Sequence, residues 1–242
     1  MRGVILAGGT GSRLDPLTRS TNKHLLPVYN KPMIYYPIQT LKEAGITEIL
    51  VITGTHHAGA VFSLLGSGKE FGVNFTFRVQ DEPRGIPHAM ALAEDFVGNE
   101  KFVSINGDNI LIGSIKKIVS DFQESSKEMN ILLYETIPEE ATKAGVVVLN
   151  QDNSVKEVIE KPKNPPSNLI SIGIYLLTHD CFKVIKKLKP SSRGELEVAD
   201  LQNHYIKKGS LIASKISGEW MDAGSFDELK RANDLIKKLN LK

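Results

Sequence analysis

The sequence predicts an α/β protein, a mostly parallel mixed sheet with helices on both faces. Three observations carry that prediction. Short apolar runs alternate with helix-length amphipathic stretches through the first half of the chain. The first run, Val4–Ala7, stops in a glycine-rich loop, Gly8-Gly9-Thr10-Gly11-Ser12. A later run, Phe102–Ile105, stops at Asn106-Gly107-Asp108. In parallel sheets ligands sit at the carboxyl ends of strands, so the loop and Asp108 are placed to face one site.

Taken in order, Val4–Ala7 reads as a buried strand. Lys31 to Ala44 reads as a helix with Pro32 in its first turn, and Pro37 predicts a kink or a late start. Gly45 ends it. Ile46–Thr53 is a buried strand, Ala58–Leu65 a helix, and Val73–Val79 alternates as a strand does. Gly85–Phe96 is a helix with Pro87 in its first turn. The second half is less regular. Ser114–Ser126 predicts a helix and Asn130–Tyr134 a strand. Gly145–Leu149 and Val155–Ile159 predict a hairpin around Gln151-Asp152-Asn153. Leu169–Leu177 is a strand, His179–Lys187 and Glu195–Lys207 are helices, and Leu211–Ile216 is a strand. Ser225 with Glu228 fits a capping box opening a last helix to about Leu239. With no repeat or disordered linker, residues 1–242 read as one domain, a first half over 1–110 and a second over 111–242.

Composition narrows the function classes. At 242 residues and 41% apolar content the chain can bury a sizeable core. A net charge of +2 argues against nucleic acid as a partner. Cys181 is the single cysteine, so neither an intrachain disulfide nor a cysteine metal cluster can form. No apolar run approaches the roughly 20 residues of a membrane helix. Val4–Ala7 is too short for a signal-peptide core. The expectation is a soluble, cytoplasmic protein with no membrane partner.

The chemistry-bearing residues follow the strand ends. The loop lacks the Gly-Lys-Ser/Thr of a Walker A motif and the spacing of a dinucleotide fingerprint. Alone, it reads equally as a tight turn or an anion cradle. Arg13 follows it directly and Lys23 comes ten residues later. A planar fork and a mobile point charge suit phosphate oxygens. Asp108, and Asp222 in Trp220-Met221-Asp222-Ala223-Gly224, read either as turn residues or as ligands for a hard cation. Gln80 offers donor and acceptor to a pyrimidine edge, or simply ends a strand. Glu160-Lys161-Pro162, taken alone, reads as a surface charge pair before a proline turn. His56 and His57 are adjacent and lack metal spacing, and no Ser-His-Asp or Cys-His arrangement is readable.

The run from Leu6 to Thr18 resembles the signature of the sugar-phosphate nucleotidylyltransferases. Asn22-Lys23-His24-Leu25-Leu26-Pro27, continuing to Pro37, is similar to the glucose-1-phosphate thymidylyltransferase branch. The resemblance extends almost to the C-terminus. It implies a Rossmann-like fold of the nucleotide-diphospho-sugar transferase type, acting on a nucleoside triphosphate and a sugar 1-phosphate. It implies Mg²⁺ held by Asp108 and Asp222, with Arg13 on the leaving phosphates and Lys23 on the α-phosphate or the attacking phosphate. It assigns Leu6, Gly8, Gly9, Thr10, Gly11, Gln80, Pro83, Gly85 and Asp108 to the nucleotide. It assigns Gly145, Glu160, Lys161, Tyr175 and Arg193 to the sugar phosphate. Two stretches depart from the pattern: Gly85-Ile86-Pro87-His88-Ala89 stands where the family reads Gly-Leu-Ala-Gln-Ala, and Ala144 where the thymidylyl branch has Tyr. The expected reaction joins dTTP and glucose 1-phosphate into dTDP-glucose and pyrophosphate. The alternatives are UTP or another hexose 1-phosphate, and a non-catalytic nucleotide-sensing relative. The resemblance is compatible with a homo-oligomer. Longer members extend past the equivalent of Leu239, so weakened or absent feedback control is expected here.

Overall fold

The computed structural model describes residues 1–239. β1 (Arg2–Ala7) is buried from Gly3 to Ala7 and runs into the glycine loop. Three one-turn 3-10 segments, Ser12–Leu14, Leu17–Arg19 and Lys23–Leu25, carry the chain onward. β2 (Pro27–Val28) and β3 (Lys31–Pro32) then pair as a small ribbon. The ribbon takes Lys31 and Pro32, which the sequence assigns to a helix, so α1 (Tyr35–Glu43) starts late. Pro37 falls in the first turn of α1, where its missing N–H costs nothing.

β4 (Glu48–Gly54), α2 (Ala58–Leu65) and β5 (Asn74–Gln80) follow. The helix expected over Gly85–Phe96 is divided into α3 (Ile86–Ala91) and α4 (Glu94–Val97). The cause is local: Leu92 N–H bonds Ala89 O at 3.1 Å and Ala93 N–H bonds Met90 O at 2.8 Å, tighter turns than an α-helix makes. β6 (Phe102–Asn106), β7 (Asn109–Ile112), α5 (Lys116–Glu124) and β8 (Met129–Glu135) come next. After α6 (Pro138–Ala141), the expected hairpin forms from β9 (Gly145–Leu149) and β10 (Val155–Glu160). β11 (Leu169–Leu177) and α7 (Cys181–Ile185) precede α8 (Val198–Lys207). The predicted start of α8 at Glu195 is three residues early, because Leu196 N–H is bonded to Arg84 O at 2.9 Å. β12 (Leu211–Lys215), β13 (Glu219–Asp222) and α9 (Phe226–Leu239) complete the described chain.

The main sheet has nine strands, ordered β10-β9-β11-β6-β1-β4-β5, with β8 paired to β11 and β12 beyond it. β6, β1, β4 and β5 are parallel, and β11 joins β6 antiparallel. The sheet is thus continuous across residue 110. Buried side chains of α1, α2 and α5 cover one face, among them Leu41, Val61 and Phe122. The other face is covered from α3, α4, α7 and α8, among them Met90, Val97, Phe182 and Tyr205. The strands between are buried on both sides, which is why they read as unbroken apolar runs rather than alternating ones. A third cluster, including Leu14, Met33, Ile110 and Ile236, seats α9.

Besides the β2–β3 ribbon and α6, a further pair of strands was not legible in the sequence. β7 and β13 form a separate antiparallel ribbon, with Asp222 opposite Asn109. It brings Asp222 to the carboxyl end of β6. No described helix is long and apolar enough to cross a membrane.

Candidate active site

The site begins where β1 ends. Gly11, at φ +69°, turns the loop, and a side chain there would strike Thr18, whose hydroxyl donates to Gly11 O at 3.0 Å. Asn22 ties the next turn to the strand end, donating to Ala7 O at 3.4 Å and accepting from His24 N–H at 2.9 Å. That turn delivers Lys23. Gly107 N–H donates to Leu6 O at 2.9 Å, which sets Asp108 beside it. Lys23 Nζ meets Asp108 Oδ2 at 2.5 Å. Asp222, at the end of β13, accepts from Gly224 N–H at 2.7 Å. Arg13 lies over Gly224, where a Cβ would come within 2.5 Å of Nη2.

The electrostatics of this cluster are uneven. Burial opposes charge on Asp108, but the Lys23 ammonium outweighs it and holds the carboxyl well below its ordinary range. Burial likewise opposes charge on Lys23, and the Asp108 and Asp222 carboxylates prevail and raise its pKa. Asp222 has no comparable partner, so burial and the Asp108 charge push it up to about 7. A buried carboxylate beside another, with only one of them neutralised, is an environment a divalent cation would relieve. Among the described residues no three His, Cys, Asp or Glu side chains gather as a metal cage. Two oxygen donors instead suit a hard cation that keeps waters and shares phosphate oxygens, so the residues present fit Mg²⁺.

Two openings flank the cluster. A cleft of about 430 Å³ is lined by Gly8, Gly9, Thr10, Lys23, Gln80 and Pro83. A cavity of about 680 Å³ is walled by Arg13, Lys161, Asp222, Trp220, Lys143 and Glu228. Lys23 therefore opens to the cleft, and Arg13 and Asp222 to the cavity, while Asp108 lines neither and is buried against Lys23. Leu6 contributes backbone only, its side chain lying in the core. Gly85, at φ +97°, abuts the Leu196 backbone and turns the chain into α3.

Of the residues expected to hold the sugar phosphate, only Lys161 lines the cavity; Gly145, Glu160, Tyr175 and Arg193 lie outside its lining, and Gly145 faces Glu160 across the β9–β10 hairpin. Lys161 holds φ at +44° and puts Nζ 3.7 Å from Glu160. Burial raises the Glu160 pKa. Tyr175 is buried, and burial followed by the Glu160 charge raises its phenol, which stays a proton donor. Arg193 is held by Glu197, at 2.6 Å and 3.2 Å, with Glu160 3.6 Å away. With Glu195 at 3.9 Å as well, an anion would share this guanidinium with three carboxylates.

Sequence reading missed several residues that shape the site. Glu228, expected in a capping box, is buried and turned to Arg13 at 3.7 Å and Lys143 at 3.8 Å, with Oε2 lacking a hydrogen-bond partner. Trp220 donates its indole N–H to Asn109 Oδ1 at 2.9 Å, and Asn109 backs Asp108. His88 bonds Gln80. A lone tryptophan two residues before an aspartate was the one available signal.

A glycine loop at a strand end, two cations and two carboxylates at one junction define an α/β enzyme that handles phosphates. Comparison with known proteins agrees: the model of the nucleotidyl transferase family matches residues 2–238, and the chain belongs to that family. The low-salt glycan biosynthesis nucleotidyltransferase Agl11 of Haloferax volcanii is 41% identical over 98% of this chain, which spans 66% of that protein's length. The glucose-1-phosphate thymidylyltransferase of Neisseria meningitidis is 38% identical, over 98% of this chain and 83% of its own. A Bacillus anthracis crystal structure assigned as a glucose-1-phosphate thymidylyltransferase, in complex with sucrose, superposes with a TM-score of 0.94 at 48% identity, covering 100% of this chain and 97% of that one. A UDP-glucose pyrophosphorylase complexed with UDP-glucose superposes with a TM-score of 0.87 at 27% identity, covering 98% of each chain.

Proposed function

We propose that this protein transfers the thymidylyl group of dTTP to glucose 1-phosphate, giving dTDP-glucose and pyrophosphate, in the cytoplasm and with Mg²⁺. The observation that carries the reading is the junction of Lys23, Asp108, Asp222 and Arg13 between the glycine-loop cleft and the Lys161 cavity. The cleft takes the nucleotide and the cavity takes the sugar phosphate. The names of the Neisseria and Bacillus relatives support the choice of substrates.

A phosphate oxygen of glucose 1-phosphate attacks the α-phosphorus in line. The new P–O bond forms as the bond to the β-phosphate oxygen breaks, and pyrophosphate carries away the electron pair. The nucleophile is already an anion, so no general base is required. The protein must hold two repelling anions together and stabilise charge in flight. Lys23 neutralises the α-phosphate or the attacking phosphate, and Arg13, in the cavity wall beside Asp222, adds positive charge where the two substrates' phosphates meet. Lys161 and Arg193 hold the sugar phosphate, and Glu160 accepts from sugar hydroxyls. Asp108 and Asp222 would hold Mg²⁺, which supplies charge neutralisation and a template for the phosphate oxygens.

UTP is the second reading, favoured by the superposition on a structure containing UDP-glucose. Pyrophosphate release with Mg²⁺, glucose 1-phosphate and either dTTP or UTP tests both. A kcat/KM for dTTP well above that for UTP supports the thymidylyl reading, the reverse moves the protein to uridylyl transfer, and release with neither overturns both.

A further inference from the structure

Gln80 ends β5 at the floor of the glycine-loop cleft and is 4% exposed. Its amide is hydrogen-bonded at one end and packed at the other. Nε2 stands 2.9 Å from Nδ1 of His88, on α3. Oε1 packs on Gly8 so closely that a Cβ there would overlap it. α3 has little freedom to shift, since Gly85, just ahead of it, abuts the Leu196 backbone. His88 therefore meets Gln80 at a fixed place.

A primary amide can be turned over with little change in its outline, which exchanges a donor pair for an acceptor. The partner at the other end decides which way it lies. With Nδ1 of His88 unprotonated, that nitrogen accepts from Gln80, and the amide oxygen faces Gly8. One N–H and the free lone pair of Oε1 remain for whatever enters the cleft. Without the His88 acceptor both orientations become available, and the pattern offered to a ligand is no longer unique.

Pyrimidines differ in that pattern. A 4-oxo ring presents an acceptor at C4 and an N–H at position 3, whereas a 4-amino ring presents a donor and a bare nitrogen. We propose that His88 is a specificity-determining residue: acting through Gln80, it fixes the amide so that the cleft takes a 4-oxo pyrimidine triphosphate and refuses the 4-amino one. His88 does not touch the phosphates and is a positioning residue. The proposal rests on the reading that the glycine-loop cleft takes the base.

The test compares kcat/KM for dTTP and dCTP, with glucose 1-phosphate saturating, in the unmodified protein, His88→Phe and His88→Asn. Phe keeps a ring without an acceptor. Asn can place its Oδ1 near the position of Nδ1. The expected result is a dTTP:dCTP ratio that falls about tenfold in His88→Phe, through the KM for dTTP, and returns to within about threefold of the original in His88→Asn, with the KM for glucose 1-phosphate unchanged. Melting temperatures confirm that both variants are folded. A folded His88→Phe whose ratio is unchanged, or which loses both substrates equally, overturns the proposal. No pyrophosphate release by the unmodified protein with any pyrimidine triphosphate overturns the parent reading, and this one with it.

Discussion

Lys23 and Asp108 lie 85 positions apart in sequence and meet at 2.5 Å, with side chains only 12% and 8% exposed. Each raises the cost of losing the other. Lys23→Ala leaves a buried carboxylate without its counter-ion, a change that typically destabilises by about 3–5 kcal/mol. Turnover should fall by roughly 10²–10³-fold as well. The double variant Lys23→Met with Asp108→Leu should recover much of the stability and none of the activity. Thermal unfolding and pyrophosphate release read the two effects separately. A Lys23→Ala protein that melts like the original would show that the pair contributes nothing to the fold.

Gly224 is the platform on which Arg13 rests. A Cβ at that position would come within 2.5 Å of Arg13 Nη2 and 2.7 Å of Asp222 Oδ1. Gly224→Ala should displace the guanidinium, lowering kcat by about tenfold or more while the KM for dTTP changes little. Arg13→Ala should cost at least as much. Arg13 is 56% exposed at its side chain but faces the buried Glu228 at 3.7 Å, so thermal unfolding should be read beside turnover and should show only a modest loss, Lys143 still facing that carboxylate. Near-normal turnover by Arg13→Ala would remove it from the reaction.

Chelation of divalent cations should stop pyrophosphate release, and Mg²⁺ should restore it. Asp222→Asn should raise the Mg²⁺ concentration for half-maximal rate by tenfold or more. Direct binding of Mn²⁺, followed by paramagnetic resonance, should weaken in parallel. The same variant removes a buried carboxylate that burial and Asp108 hold in an unfavourable state, so its metal-free form should melt no lower than the original. Full activity in excess chelator would exclude these aspartates as metal ligands.

His24 gives the stability a pH dependence of its own. Burial, then the Lys23 charge, lowers its pKa from 6.5 to about 3. The unfolded chain takes up a proton near 6.5, whereas the folded protein refuses it until about 3. Between those values the unfolded state binds more protons, so stability falls as pH falls, by up to about 1.4 kcal/mol per unit. The contribution is complete above 6.5 and gone by about 3. His24→Asn should flatten that part of a melting-temperature-against-pH curve. An unaltered slope would mean that His24 is not the source.

The sequence disclosed the sheet better than the site. Strands such as β1 and β11 are buried on both faces, and an unbroken apolar run declares itself without knowledge of partners. Ala58–Leu65 and Leu169–Leu177 have in the structure the bounds that their patterns predict. Helix starts were less legible because they were decided elsewhere: Leu196 is tethered to Arg84, and Lys31 pairs with Val28. In the site, Arg13 and Asp108 stood out because they follow strand ends, whereas Lys23 and Asp222 stood out by their place in motifs that resemble the family's. Glu228 did not, because its spacing from Ser225 fits a helix cap equally well. His88 and Asn109 act by touching another site residue, and such contacts leave no spacing to read.

The β7–β13 ribbon has a consequence for how the molecule comes into being. Synthesis runs from the N-terminus, and every strand of the main sheet has been made by Lys215. Asp222 is not yet among them. A nascent chain can assemble the sheet and the glycine-loop cleft while still lacking half of its acidic pair. The acidic pair is thus the last part of the site to be assembled, closed by a ribbon that the main sheet does not need.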